Sequence, residues 1–246
     1  MKAFEFFSAK RQQFAQRAQA AFAQYKEAKK QRGMTLLEVI IVLGIIGTIA
    51  AGVVVLAQRA FDSRTVSEVV QNTNTIRVAI KDAYSSVGTY PEAKKADILT
   101  LTNATILTNT TAGATPTLVQ LGKVSVEEMR NKISGDFYAI APGHTSATNK
   151  KGYAIEINGL NTEQCRSILG QVGNNWDYVE VPTTGAAAGA YTIADDGVNL
   201  AAQATPNTGP VLRSLGANGT TPISPTAIVS VCNSTGATNS IILGSR

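Results

Sequence analysis

The chain has 246 residues, a formal charge of +5, 44% hydrophobic residues and only 6% aromatic residues. This composition excludes a collagen-like chain, a disulfide-dense miniprotein and an intrinsically disordered protein. Residues 1–33 hold eight Lys or Arg against two Glu, a formal charge of +6, so residues 34–246 carry only −1. A basic balance often indicates a nucleic-acid or anionic-membrane partner. Here the basicity belongs to one end of the chain, and no nucleic acid is needed to explain it.

An apolar run follows the basic end. Residues 39–57 contain no charge and one polar side chain, Thr48. As a helix this run is roughly 28 Å long, about the thickness of a bilayer's hydrocarbon core. A buried core helix would be shorter and keep a polar stripe, and a secretory signal would have a shorter apolar region and a small-residue cleavage site. The charge bias predicts a cytoplasmic N-terminus and a translocated remainder, with residues 2–31 as an amphipathic helix on the inner leaflet.

Glu38 lies one position before the uncharged run. A carboxylate near hydrocarbon costs a few kcal/mol unless a cation pairs with it. It could instead sit at the headgroup level, near the positive end of the helix dipole. Position alone leaves both interpretations open.

The string RGMTLLEVIIVL, residues 32–43, resembles the processing motif of type IV prepilins. The resemblance implies that a prepilin peptidase cuts after Gly33, that Met34 becomes the N-methylated first residue, and that Glu38 is the fifth mature residue. A long leader, Met rather than Phe at the first mature position and a helix without proline resemble the type IVb branch. That branch includes the toxin-coregulated and colonisation-factor major pilins of enteric bacteria.

The resemblance implies a major structural subunit that polymerises through its N-terminal helix into filaments for adherence, aggregation and colonisation. In such a filament the Met34 amine and the Glu38 carboxylate of neighbouring subunits would neutralise each other, a pairing that exists only after cleavage. The alternatives are a minor pilin or a type II secretion pseudopilin and, from another class, an uncleaved single-pass membrane anchor carrying a binding head.

The expected partners are other copies of the chain, a prepilin peptidase, an inner-membrane assembly platform with its ATPase, an outer-membrane secretin, and a host surface or neighbouring bacteria. The expected location is the inner membrane, with a cytoplasmic N-terminus and a periplasmic head, and then the extracellular pilus.

The chain divides into four predicted segments: a leader (1–33), an apolar helix half (34–57), an amphipathic helix half (58–88) and a globular head (89–246). One helix is predicted from Met34 to Val87, because apolar residues recur at three- and four-residue steps in its second half. The predicted core stripe is Phe61, Val66, Val69, Val70, Thr73, Ile76, Ile80, Ala83, Tyr84 and Val87.

The head is predicted to be α+β, with the long helix packed on a small, mostly antiparallel sheet with peripheral helices, as in the type IV pilin fold. Residues 92–120 are rich in Thr and Asn and predict a surface connection with at most a short helix. The predicted strands are 137–140, 153–157, 176–181 and 240–243. The predicted short helices begin near Ser125, at Asn161 or Thr162, and at Ser224-Pro225, and residues 183–210 are predicted to be looped.

The chain has two cysteines, Cys165 and Cys232. In an exported head an even pair usually forms a disulfide, and free thiols or a metal pair are the alternatives. A C-terminal pair that encloses a variable region, here 165–232, also resembles the type IV pilins. No phosphate-binding loop, metal-spaced cluster or nucleophile motif is present in the sequence, and there is a single His. The sequence therefore predicts no cofactor, no metal and no catalytic activity.

Overall fold

The computed structural model describes residues 35–146 and 149–246. The expectations for the leader helix, Gly33 and Met34 lie outside these residues. The described chain forms two compact units, one up to Arg59 and one from Ala60 to Arg246.

The first helix, α1, spans Leu36–Tyr84. Its predicted end at Val87 is three residues too late, because residues 85–87 form a turn. Gly88 closes this turn with a backbone φ of 69°, and its N–H donates to the Tyr84 carbonyl at 2.9 Å. Glycine adopts this left-handed conformation without the steric cost of a Cβ, which explains why the helix stops here.

The part of α1 in the second unit buries most of the predicted stripe. Val69, Ile76 and Ile80 have no exposed surface and belong to the hydrophobic core. The prediction is wrong at the two ends of the stripe, since Phe61 is 67% exposed and Val87 is 65% exposed. The interior positions are covered by the head, whereas these two positions lie where that cover ends.

The prediction for residues 92–120 as a surface connection is wrong. The segment contains two short α-helices and a 3₁₀ helix, which are α2 (Lys95–Leu99), the 3₁₀ helix Thr105–Leu107 and α3 (Ala114–Gln120). Ile98, Ile106 and Leu118 are buried. The abundant Thr and Asn side chains bond to nearby backbone groups, as when Asn109 Oδ1 accepts from the N–H groups of Thr111 and Ala112. These local bonds turn the backbone while the sparse aliphatic residues enter the core.

The predicted helix at Ser125 is also wrong, because the structure forms only a single turn there. The capping interactions are present: Ser125 Oγ accepts from the Glu128 N–H at 3.2 Å, and Glu128 accepts from the Ser125 N–H at 3.0 Å. The helix does not continue because Arg130 pairs with Phe137 in an isolated antiparallel bridge. A correct N-cap therefore starts a turn that tertiary pairing then interrupts.

The head contains one six-stranded sheet with the order β4-β1-β2-β6-β3-β5. Every neighbouring pair is antiparallel except β1 with β4, which is parallel. The strands are β1 (Ala139–His144), β2 (Gly152–Leu160), β3 (Tyr178–Glu180), β4 (Val198–Asn199), β5 (Val211–Arg213) and β6 (Asn239–Ser245). The α+β class with a mostly antiparallel sheet is confirmed, and β4 and β5 are additional to the predicted strands.

Two peripheral helices begin at the predicted capping residues. Helix α4 spans Thr162–Val172 and is followed by the 3₁₀ helix Gly173–Asn175, and helix α5 spans Pro225–Val231. Asn161 caps α4 through a reciprocal pair of bonds with Gln164. The Ser224 hydroxyl accepts from the Ala227 N–H at 3.2 Å to cap α5.

One face of the sheet contacts α1. The Tyr153 hydroxyl donates to the Arg77 carbonyl at 3.4 Å, and the Arg77 guanidinium lies 4.8 Å from the centroid of the Trp176 ring. Burial raises the pKa of the Tyr153 hydroxyl well above its usual value, and the Arg77 charge opposes that shift. The helix and the sheet thus share one aromatic and aliphatic core.

Candidate functional site

Glu38 lies in the first turn of α1. Thr35 precedes the helix, and its hydroxyl accepts from the Glu38 N–H at 3.3 Å. Thr35 is thus the residue that caps the helix N-terminus. The Glu38 side chain projects from that turn as an exposed carboxylate.

Within residues 35–59 the only Lys or Arg is Arg59, which lies about 30 Å further along the helix at 1.5 Å per residue. None of the ion pairs among the described residues involves Glu38. The carboxylate is therefore the single anion of an apolar segment and has no cation beside it within that segment.

The side chains that follow Glu38 in α1 find no cover within residues 35–59. Apart from the half-buried Val39, the large aliphatic residues of this segment are exposed, with values such as 56% for Ile46. The one polar side chain of the apolar run, Thr48, donates its hydroxyl to the Ile45 carbonyl at 2.8 Å. Its hydrogen-bonding capacity is satisfied by its own helix, as an apolar environment requires. Among the described residues, α1 is the one helix that is long and apolar enough to cross a membrane.

Three glycines interrupt the apolar segment of α1. A Cβ added at Gly44, Gly47 or Gly52 would meet nothing within 4 Å in the described chain. Each costs about 1 kcal/mol of helix propensity relative to Ala. No contact within residues 35–59 requires glycine at these three positions. The glycines therefore serve contacts outside this segment or the conformation of the helix itself.

In the head, Cys165 and Cys232 are joined by a disulfide with their Cα atoms 5.8 Å apart. Cys165 lies in α4, and Cys232 follows the last residue of α5. The bond ties the two peripheral helices together and closes a loop with a sequence separation of 67. Both sulfurs are buried, so the bridge is part of the core.

A buried carboxylate in the head was missed by the sequence analysis. Glu156 in β2 has no exposed surface. It accepts from the N–H and the hydroxyl of Thr192 and from the N–H of Ile193, with N–H contacts of 2.8–2.9 Å. These bonds attach the segment after β3 to the sheet. The available signal was a lone acid within the hydrophobic run YAIEI, residues 153–157.

Asn158, two positions further along β2, extends the same attachment. Its side-chain amide donates to the carbonyls of Ala187 and Ala190 and to the Asp136 carboxylate. Successive alternate residues of a strand lie on one face of the sheet. Glu156 and Asn158 therefore hold the irregular segment 183–197 on the face opposite α1.

Among the residues that the structure describes, no three His, Cys, Asp or Glu side chains converge on a possible metal site. The features that stand out are an exposed apolar helix with one carboxylate at its start and a disulfide-bridged α+β head.

A family model described as "Toxin-coregulated pilus subunit TcpA" matches residues 117–242, and one described as "Prokaryotic N-terminal methylation motif" matches residues 28–54. The chain is 39% identical over 187 residues to a toxin coregulated pilin of Vibrio cholerae, covering 75% of this chain and 76% of that protein. The chain belongs to the family of toxin-coregulated pilus subunits. A second toxin coregulated pilin, from Vibrio cholerae serotype O1, is 39% identical over 175 residues, or 71% of this chain and 72% of that protein.

The crystal structure of TcpA, a type IV pilin from the El Tor biotype of Vibrio cholerae, superposes with a TM-score of 0.58 at 22% identity. The match covers 74% of this chain and 99% of that one and shows the shared fold. The chain is thus a pilin, a structural subunit that polymerises into type IV pili, and its methylation motif implies processing by a prepilin peptidase. The matches favour a major pilin over a minor pilin or a pseudopilin.

Proposed function

We propose that this pilin is made as a precursor, that a prepilin peptidase cuts it after Gly33, and that the new amine of Met34 pairs with Glu38 of a neighbouring subunit in the filament. The observation that carries this proposal is the isolation of Glu38. It is an exposed carboxylate at the start of an apolar segment in which no cation lies nearby.

The physical reason is that a helix without a polar face offers no directional contact in an apolar environment. Uncovered aliphatic side chains can associate with lipid or with other copies at many relative heights. A single carboxylate restricts the relative heights at which neighbouring helices can associate, because it must lie beside a cation. An unpaired charge in an apolar filament core costs several kcal/mol. The Met34 amine is absent from the uncut chain, so cleavage would switch assembly on.

The remaining parts of the proposal rest on the charge bias at the start of the sequence and on membership of the pilin family. The precursor would reside in the inner membrane with a cytoplasmic N-terminus and a periplasmic head, and the mature subunit would enter the extracellular pilus. An assembly platform with its ATPase and an outer-membrane secretin would serve this route. The head would act in adherence or aggregation as a structural surface and not as an enzyme.

The test compares two acids of the same helix. Glu38→Gln removes the charge at the apolar end, and Glu68→Gln removes an exposed charge whose partner is Arg64 at 3.1 Å. We expect Glu38→Gln to be processed normally but to reduce the yield of sheared filaments at least about tenfold, as loss of a buried charge pair implies. Glu68→Gln should assemble at the wild-type level, because exposed pairs contribute about 1 kcal/mol or less. Wild-type filament yield from Glu38→Gln would contradict the proposal and leave Glu38 as a residue of the helix terminus only.

A further inference from the structure

A cavity of about 370 Å³ lies between the sheet of the head and the segment that follows β3. Its lining includes Tyr178, Glu180 and Ile242 from strands β3 and β6, residues 183–197 of the segment after β3, and Val198 and Asn199 of strand β4. Small-molecule sites begin at about this size. The cavity belongs entirely to the second unit, and its lining residues are distant in sequence from the apolar segment 35–59.

The strand register explains the chemistry of the cavity. Ile242 in β6 is paired with Glu156 on one side and with Glu180 on the other. Residues paired directly across neighbouring strands lie on the same face of a sheet. The two carboxylates therefore lie on one face, with one apolar residue between them.

The two acids differ in how their oxygens are used. Glu156 is fully buried, and both of its oxygens accept hydrogen bonds from the segment at Thr192 and Ile193. Glu180 is half-buried, and its Oε2 accepts the Tyr178 hydroxyl at 2.7 Å. A carboxylate offers about four acceptor sites, so Glu180 keeps acceptor capacity that faces the cavity.

No ion pair balances these acids within the described part of the second unit. The ion pairs of residues 60–146 and 149–246 involve neither Glu156 nor Glu180. Burial raises the pKa of the Glu180 carboxyl above its ordinary value, and the Glu156 charge raises it further, while the Tyr178 hydrogen bond opposes both effects. A cation bound in the cavity would stabilise the charged form of the Glu180 carboxyl and so lower its pKa again.

We propose that this cavity binds a small primary ammonium group, of the size of a lysine side chain. An ammonium has three donors and no acceptor. The lining includes Glu180, whose carboxylate is an anionic acceptor, and the exposed Thr183 and Thr184, whose hydroxyls can accept a hydrogen bond. The aliphatic part of the ligand would contact Ile242 and Ala202, which also line the cavity. Because the cavity does not include any residue of the apolar segment 35–59, this proposal does not depend on the proposed function.

The test is a calorimetric titration of the full chain in detergent micelles with n-butylammonium chloride. Butan-1-ol and glucose are the neutral probes, and potassium chloride controls for ionic strength. We expect saturable binding of n-butylammonium to the wild-type chain and none of the neutral probes. Loss of the charge-assisted hydrogen bond in Glu180→Gln should weaken binding at least about tenfold.

Glu163→Gln is the matched control, because Glu163 is an exposed acid of the same head, and it should bind like the wild type. Ala202→Leu keeps the carboxylate but fills part of the cavity, so it should also weaken binding and serves if Glu180→Gln fails to fold. Three results would overturn the proposal. The first is no saturable binding of n-butylammonium to the wild-type chain, and the second is wild-type affinity in both Glu180→Gln and Ala202→Leu. The third is binding of butan-1-ol or glucose to the wild-type chain as tight as that of n-butylammonium.

Discussion

The two units of this pilin use similar aliphatic residues for opposite purposes. In residues 35–59 the Ile, Leu and Val side chains other than the half-buried Val39 are exposed, whereas in the second unit Ile76, Ile80 and Ile155 have no exposed surface. The first unit therefore gains nothing from its apolar side chains within its own chain, and the second gains its stability from them. An apolar composition alone does not distinguish exposed aliphatic side chains from buried ones. The length of the apolar run and its lack of a polar face do distinguish them.

The largest expected effect tests whether the first unit needs processing before it can assemble. Replacing Gly33 with a bulky residue should block cleavage, because the peptidase must accommodate the backbone on both sides of the cut. Unprocessed precursor should accumulate in the membrane fraction, detected by its larger mass, and surface filaments should be lost. Normal filaments from this variant would mean that assembly does not depend on a new amine at Met34.

The disulfide concerns only the second unit. Replacing both Cys165 and Cys232 with Ala should reduce the free energy of unfolding of the head by roughly 4 kcal/mol, because a sequence separation of 67 closes a long loop in the unfolded chain. Denaturant unfolding of the full chain in detergent, followed by the fluorescence of the single buried Trp176, measures this loss. An unchanged unfolding midpoint would show that α4 and α5 are held by packing alone.

A matched pair of isoleucines in one helix separates the two units most cleanly. Ile76 is fully buried and Ile46 is 56% exposed. Ile76→Ala should reduce the free energy of unfolding of the head by about 2–5 kcal/mol, and Ile46→Ala should change it by less than about 0.5 kcal/mol. Both are measured by the same fluorescence experiment. Equal losses would show that residues 35–59 share in the stability of the head.

Glu156 tests the polar attachment within the head. Glu156→Gln places an amide NH₂ where the N–H groups of Thr192 and Ile193 now point at carboxylate oxygens. A buried donor left facing donors costs about 1–3 kcal/mol. We expect a lower unfolding midpoint and faster amide hydrogen exchange at Thr192 and Ile193. Unchanged exchange at these two amides would mean that the segment is held by other contacts.

Local signals explain which parts of the fold the sequence could predict. The caps at Asn161 and Ser224 were predicted because capping depends on residues one to three positions away. The end of α1 was predicted to within three residues because Gly88 is a local stop signal. Strands β2 and β6 were predicted from β-branched runs, although their full lengths depend on each other.

The errors arose where distant residues decide the outcome. The Ser125 turn has correct capping chemistry, but pairing of Arg130 with Phe137 stops the helix. Strand β5 has three residues and exists because β3 lies beside it. The role of Glu156 depends on a segment more than thirty residues away. For the candidate site, the motif at residues 32–43 predicted the assembly role that we propose for this segment, but the exposure of Glu38 and its lack of an ion pair among the described residues required the structure.

We propose that the apolar helix becomes an assembly element once the peptidase has cut the chain after Gly33. Mass analysis of the subunit in sheared surface filaments tests it most directly. We expect a subunit that begins at N-methylated Met34, carries the Cys165–Cys232 bridge and lacks residues 1–33. A filament subunit that retains Met1 would show that assembly does not require cleavage after Gly33.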